Sequence, residues 1–149
     1  MKNIMNTKKV SVLFICEGNA CRSILAEAFT RFYWGNHAYA ASAGIRPLGQ
    51  IPEETLTVLE EVGVPTEGLF SKKLDEIDLS SFQLIVNLAL VSIEEHLPKD
   101  FKGQIFNWYI RDPYRGNLQS FRQTRDALDW FITEKLPEIL ELYSLSGES

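Results

Sequence analysis

Residues 10–15 read Val-Ser-Val-Leu-Phe-Ile, an almost unbroken apolar run with three β-branched members. The run is too short for a buried helix and too apolar for a strand with one wet face. It predicts a strand covered on both sides, as strands of parallel sheets are. The run ends at Cys16, and Ser23–Trp34 follows with Ile24, Leu25, Ala28, Phe29 and Phe32 on one side at helical spacing. A buried strand that passes through a short loop into an amphipathic helix opens a βαβ unit, because parallel strands need such a crossover.

The rest of the chain repeats that alternation. Tyr39–Ser42 predicts a short second strand, closed by Gly44. Pro52 opens a second helix in its first turn, where a missing N–H costs nothing. Leu56, Leu59 and Val62 form that helix's apolar stripe and Gly63 its stop. Residues 64–81 predict loop and short turns, and Phe82–Leu88 a third buried strand. Ser92 caps a short helix through His96, stopped by Pro98, and Gln104–Trp108 is a fourth strand. After a loop over 109–117, Ser120–Tyr143 carries Phe121, Leu128, Phe131, Ile132, Leu136, Ile139 and Leu140 at helical spacing, and Pro137 should kink or divide that helix. The pattern predicts one three-layer α/β domain over residues 1–149: a four-stranded parallel sheet flanked by helices, with residues 1–9 a disordered lead. In such sheets the ligand crevice lies beyond the C-terminal strand ends, which puts the loops after Ile15 and Trp108 on one rim.

Charge and cysteine usage narrow the function classes. A net charge of −5 and a pI near 5.1 speak against broad nucleic-acid binding, which needs a basic face. Two cysteines in 149 residues do not make a disulfide scaffold. The most apolar stretch, Leu84–Ile93, is interrupted by Asn87 and Ser92 and is too short to span a bilayer. The N-terminal lysines and apolar run stop at Glu17 without a cleavage pattern, so no signal peptide is read there. These features predict no nucleic-acid partner, no membrane partner and a cytoplasmic location, where thiols stay reduced.

The loop from Cys16 to Arg22, Cys-Glu-Gly-Asn-Ala-Cys-Arg, carries the chemistry. Glu17, Gly18, Asn19, Ala20 and Cys21 between the two ends can curl so that backbone N–H groups converge on one anion. Gly18 permits close approach, and Asn19 tolerates the left-handed region. The following helix adds its N-terminal donors and positive dipole end. Arg22 can fork onto two oxygens of a phosphate. The same field acts on the Cys16 thiol: helix N-termini and nearby cations lower cysteine pKa values from about 8.5 to roughly 3.5–7.5. A thiolate there attacks phosphorus and forms a phosphocysteine, and the Ser23 hydroxyl could steady it as a leaving group. Cys21 either packs behind the loop or forms a reversible disulfide with Cys16.

A second element, Arg111-Asp112-Pro113-Tyr114-Arg115-Gly116, lies after the last strand. Ester cleavage needs a proton for the leaving oxygen, and Asp112 can supply it. Tyr114 would line the mouth of the site and contact an aromatic substrate. No His/Cys/Asp/Glu group has metal-ligand spacing, and His37 and His96 stand alone. Glu60-Glu61 and Lys72-Lys73 read as solvated surface, and Trp34, Trp108 and Trp130 as core.

Together these residues resemble the low-molecular-weight protein-tyrosine-phosphatase family, which includes thiol-dependent arsenate reductases of the same fold. The likeness rests on VLFICEGNACRSILAEAF, on Ser42-Ala43-Gly44 after the second strand and on Asp112-Pro113-Tyr114 before the last helix. It implies Cys16 as nucleophile, Arg22 as phosphate clamp, Asp112 as general acid and then base, and an Asn19–Ser42 hydrogen bond holding the loop. It implies no metal or organic cofactor. Two features depart from the family's phosphatases: the loop Ile45–Gln50 has no aromatic residue, and Arg115 follows Tyr114 where a second tyrosine is common. The region VNLALVSIEEHLP has no cysteine, so a three-cysteine reductase relay is impossible. The implied partner is a phosphotyrosine protein, with hydrolysis through a phosphocysteine. The alternatives are arsenate reduction with an external small thiol, or a non-catalytic module that binds a small oxyanion.

Overall fold

Four strands form the sheet: β1 (Val10–Cys16), β2 (Ala38–Gly44), β3 (Leu84–Asn87) and β4 (Gln104–Asn107). The protein, seen here in a computed structural model, is described over residues 9–113 and 115–146. The expected lead, apart from Lys9, and Tyr114 lie outside the described residues. The order is β2-β1-β3-β4 and every pairing is parallel. β1 sits between β2, in register from Val10↔Ala38 to Cys16↔Gly44, and β3, from Val12↔Leu84 to Ile15↔Asn87. Its central residues Val12–Ile15 are wholly buried, as the unbroken apolar run requires.

The alternation of side chains along β1 divides the core. Val10, Val12, Phe14 and Cys16 face a helical layer: α1 (Arg22–Trp34), α2 (Glu53–Glu61), α3 (Leu118–Trp130) and α4 (Leu136–Ser146). Leu13 and Ile15 face the other way, against Leu74, Phe82, Ile85 and Ile93. That second covering is thin. It is made of single 3₁₀ turns at Leu74–Glu76, Leu79–Ser81 and Glu94–His96 and the loops around them. The helix predicted after Ser92 is the last of these turns.

Several helix faces differ from the sequence reading. In α2 the buried residues are Thr55, Val58 and Leu59, while Val62 is 45% exposed. Pro52 stands one position before the helix, as its N-cap. The helix is phased so that Thr55 donates its hydroxyl to the Ala20 carbonyl, which a search for apolar residues passes over. In α1 residues 22–30 are buried on all sides, and only the last turn emerges, leaving Phe32 half exposed. Trp130 is half exposed rather than core. Glu61 is no idle surface acid: it accepts from Arg122 and Arg125 and ties α2 to α3.

The long C-terminal helix is divided, as Pro137 predicts, by a widened turn. Phe131–Lys135 form one turn of π-helix between α3 and α4, in which the Leu136 N–H bonds to the Phe131 carbonyl. The Ile132 carbonyl would next take the N–H of residue 137, but proline has none. The Trp34 indole fills that vacancy, donating to Ile132 at 2.8 Å from the end of α1.

Candidate active site

The loop between β1 and α1 is held from outside by its carbonyls. Ile45, Arg46 and Leu48 donate their N–H groups to the carbonyls of Cys16, Glu17 and Gly18 at 3.1, 2.7 and 3.0 Å. Ser71 adds its hydroxyl to Gly18, and Thr55 donates to Ala20. A planar trans peptide sets its N–H opposite its carbonyl. Turning these carbonyls outward therefore turns the following N–H groups toward the inside of the loop. Asn19 takes the left-handed conformation (φ 45°) that the sharp turn needs. Gly44, where β2 ends, is required for close approach: a Cβ there would lie 2.8 Å from the Asn19 nitrogen and 3.0 Å from the Glu17 oxygen.

Asn19 and Ser23 stand behind the sulfur. The Asn19 carboxamide donates to Ser23 Oγ at 2.7 Å and accepts from the Lys72 N–H at 2.8 Å. Ser23 Oγ lies 2.9 Å from Cys16 Sγ. A thiolate at Cys16 can only accept, and Ser23 is then the donor of that bond while its oxygen still accepts from Asn19. The expected Asn19–Ser42 bond is not formed. Ser42 donates instead to Glu27 Oε1 at 2.5 Å, and the Lys72 main chain takes its place on Asn19. Lys72 is thus part of the loop's support, not merely a solvated face, and burial pulls its ammonium below the usual lysine range.

Glu27 was not singled out in the sequence, yet it is 1% exposed. Burial pushes its carboxyl above the ordinary range, against the Ser42 hydroxyl, Arg31 and Lys72, which all favour the charged form. Arg31 pairs with it one turn along α1. The signal was present: Glu27 lies at helical spacing from Ile24 and so shares the buried side of α1.

Arg22 is 3% exposed. Its Nη1 donates to the carbonyls of Leu88, just past β3, and Ile110, in the loop after β4, at 2.6 and 3.3 Å. Its Nη2 lies 3.4 Å from the Asp112 carboxylate. The guanidinium is thereby fixed at the point where the strand order reverses, between the ends of β1 and β3. Asp112 is on the rim, its side chain 44% exposed.

These groups surround a cavity of about 140 Å³. Of the residues predicted for the site, Cys16, Glu17, Gly18, Ala20, Cys21, Arg22 and Asp112 line it, whereas Asn19 and Ser23 support it from behind. Arg46, Leu48, Pro52 and Phe121 also line it and were not predicted. Arg46 pairs with Glu17 at 2.8 Å on the rim. The stretch after Ser-Ala-Gly pointed only to a missing aromatic ring, and Phe121 only to a core stripe. Cys21 is buried beside Thr55, and burial, with smaller contributions from Cys16 and Asp112, pushes its thiol well above the usual cysteine range. Both thiols are free. A larger cleft of about 660 Å³ opens at the opposite end of the strands, near Phe82, Phe101 and Tyr143, and holds none of the predicted site residues. Among the described residues no helix is long and apolar enough to cross a membrane.

Known proteins place this geometry in a family. The profile of the low molecular weight phosphotyrosine protein phosphatases matches residues 11–141. An arsenate reductase of Brevibacillus brevis is 31% identical over 124 residues, 83% of this chain and 91% of that protein. A glutaredoxin arsenate reductase of Synechocystis sp. is 27% identical over 116 residues, 76% of this chain and 86% of that one. The tyrosine phosphatase Wzb of Escherichia coli K30, solved with sulphate, superposes with a TM-score of 0.77 at 22% identity, covering 89% of this chain and 99% of that one. With the Cys16–Arg22 loop at a strand-to-helix junction and a match over nearly its whole length, the chain belongs to the low molecular weight phosphotyrosine protein phosphatase family.

Proposed function

We propose that this protein is a phosphomonoester hydrolase, specifically a protein-tyrosine phosphatase working through a phosphocysteine. One observation carries the reading: the Asp112 carboxylate stands 3.4 Å from Arg22 Nη2, on the rim of the cavity whose floor is Cys16. A group that only binds oxyanions has no use for an acid at its mouth, whereas ester cleavage needs one.

The inward N–H groups and the guanidinium hold the phosphoryl oxygens, with the charge spread in the transition state matched by fixed donors. The Cys16 sulfur attacks phosphorus. The bond to the ester oxygen breaks as Asp112 passes its proton to that oxygen, and the alcohol leaves. Water then attacks the phosphocysteine, Asp112 takes the water's proton, and the S–P bond breaks to release phosphate. Ser23, with its hydrogen directed at sulfur, stabilises the departing thiolate in this second step. Gly18, Ala20, Glu17 and Cys21 frame the oxyanion, and Cys21, buried and protonated, takes no part in the attack.

The test is hydrolysis of p-nitrophenyl phosphate by reduced protein without added metal. Cys16→Ser should abolish turnover, and Asp112→Asn should lower kcat by about 10²–10⁴-fold. A folded, reduced protein that turns over no aryl phosphate removes the reading.

Arsenate reduction is a second reading, favoured by the arsenate reductase of Brevibacillus brevis at 31% identity. Cys16 would displace hydroxide from arsenate. An external small thiol would then attack that sulfur, releasing arsenite and leaving a mixed disulfide that a second thiol reduces. Arsenic gains two electrons and two thiols become one disulfide. Cys21 is the alternative second thiol, and its burial, which pushes it above the usual cysteine range, favours an external thiol for that attack. Arsenate-dependent oxidation of glutathione with negligible ester hydrolysis would select this reading over the first.

A further inference from the structure

Among the described residues, two cations line the cavity whose floor is Cys16: Arg22 and Arg46. Arg22 is committed. Its Nη1 donates to the Leu88 and Ile110 carbonyls, its Nη2 faces Asp112, and the proposed reaction gives it the phosphoryl oxygens. Arg46 has no such duty. Its side chain is 82% exposed at the mouth, and Nη1 donates to Glu17 Oε1 at 2.8 Å. A guanidinium carries five N–H donors in a planar fork. The rest of that fork stands in water beside the cavity.

Bracing the loop does not account for the Arg46–Glu17 pair. The Arg46 main-chain N–H already bonds to the Glu17 carbonyl at 2.7 Å, between the matching bonds from Ile45 to Cys16 and from Leu48 to Gly18. Those bonds fix the Arg46 backbone against the residue next to the nucleophile and leave its side chain free to move. An exposed ion pair adds little to stability. Glu17 is also, with Asp112, one of two carboxylates lining a cavity that must admit an oxyanion, and Arg46 offsets the first of them. The apolar lining side chains, Leu48, Pro52 and Phe121, can meet an aryl ring but not a charge. The free side of Arg46 is what this cavity offers to a second anionic group on the substrate.

We propose that Arg46 is a specificity-determining residue that takes a carboxylate of the substrate lying beside the phosphoryl group. The proposal rests on the phosphatase reading and specifies its substrate class: phosphotyrosine segments with an aspartate or glutamate within two positions of the phosphorylated residue, because Arg46 lines the same cavity as Cys16. Glu17 holds the guanidinium at the mouth of the free enzyme and shares it with the substrate in the complex. Glu17 therefore competes with the substrate's carboxylate, and the two halves of the ion pair act on the preference in opposite directions. A rim charge works through encounter and binding, so the preference appears in KM and shrinks as salt rises.

The test places aspartate, glutamine or lysine at each of the two positions on either side of phosphotyrosine in a synthetic peptide. It reads kcat and KM for the intact enzyme and Kd for Cys16→Ser, at low and at physiological salt. At one position aspartate should be favoured over glutamine by about two- to fivefold, the range of an exposed charge pair, and lysine should be disfavoured. Arg46→Gln should bring the ratio near one with a thermal midpoint close to wild type, since the side chain is exposed. Arg46→Glu should reverse the order, with lysine over aspartate. Glu17→Gln should widen the wild-type ratio, because the competing carboxylate is gone. A pair that only braced the loop would move the Arg46→Gln and Glu17→Gln ratios the same way, and that result overturns the proposal. So does a ratio below twofold at every position, or one that survives Arg46→Gln through Arg111 or Arg115, which flank Asp112 in sequence. If p-nitrophenyl phosphate is hydrolysed but the three peptides are equal, the role of Arg46 falls and the hydrolase reading stands. If no ester is hydrolysed but Cys16→Ser binds the aspartate peptide more tightly, and adding Arg46→Gln removes that difference, the role of Arg46 stands and the hydrolase reading falls. No binding of any of the peptides rejects the role of Arg46.

Discussion

A buried guanidinium is costly unless its protons are matched. Arg22 meets that demand on one edge with two carbonyls and leaves the other toward the cavity and Asp112. Anchored in this way, it would lose little rotamer freedom on binding the oxyanion that the proposed function requires. Glu27 is the other buried charge-bearing residue near the loop, and it titrates. Its folded carboxyl keeps a proton at pH values where the unfolded chain, near 4.5, has released it. Between 4.5 and the raised value the folded state binds more protons, so this residue makes stability fall as pH rises through that window. Glu27→Gln keeps an acceptor for Ser42 and removes the titration. Urea midpoints measured from pH 4.5 to 7.5 should show wild type losing stability relative to Glu27→Gln. A gap that stays constant over that range would mean that Glu27 ionises as easily folded as unfolded.

At the scale of elements, the joint between α3 and α4 is stabilised by a residue nearly a hundred positions away. Pro137 withholds the N–H that the Ile132 carbonyl needs, and Trp34 supplies one. Trp34→Phe keeps most of the ring and removes the donor. It should destabilise the protein by about 1–3 kcal/mol, the usual cost of an orphaned buried acceptor. In a Pro137→Ala background, where the main chain regains its own donor, the same change should cost less. A double-mutant cycle in urea measures that difference and cancels the packing change common to both arms. Equal costs in the two backgrounds would mean that the indole bond carries no energy. The loop at the end of β1 depends on elements in the same way. Its shape is set by main-chain donors from residues 45–48 after β2 and by Thr55 of α2, not by its own side chains alone.

At the scale of the whole molecule, the chain carries a net charge of −5, and the proposed function nevertheless asks the Cys16–Arg22 loop to bind an anion. Inward N–H groups and one fixed guanidinium act at contact distance, whereas surface carboxylates act through water and salt. Binding an oxyanion to the folded state alone should therefore raise global stability. At ten times its Kd, inorganic phosphate should add about 1.4 kcal/mol, or roughly 3–6 °C in thermal midpoint for a domain of this size. Arg22→Lys keeps the charge but loses the fork, and should remove most of that shift. A midpoint indifferent to phosphate in wild type would count against the cup as an anion site.

Local chemistry encodes the buried β1, the cysteine and arginine at the two ends of one loop, the left-handed turn at Asn19 and the break at Pro137, and these are legible in the residues themselves. Each depends on near neighbours or on a residue's own geometry. The tertiary structure alone decided which distant groups meet. Asn19 bonds to the Lys72 main chain rather than to Ser42, Ser42 bonds to Glu27, and Thr55, not Val62, faces inward from α2. Arg22 is aimed by the Leu88 and Ile110 carbonyls, and Arg46 and Leu48 reach the cavity from the loop after β2 while Phe121 reaches it from α3. Hydrogen bonds to backbone atoms leave no trace in residue type, because every residue but proline offers the same donor and acceptor. Such contacts follow from the path of the chain through space, which no single stretch of sequence specifies.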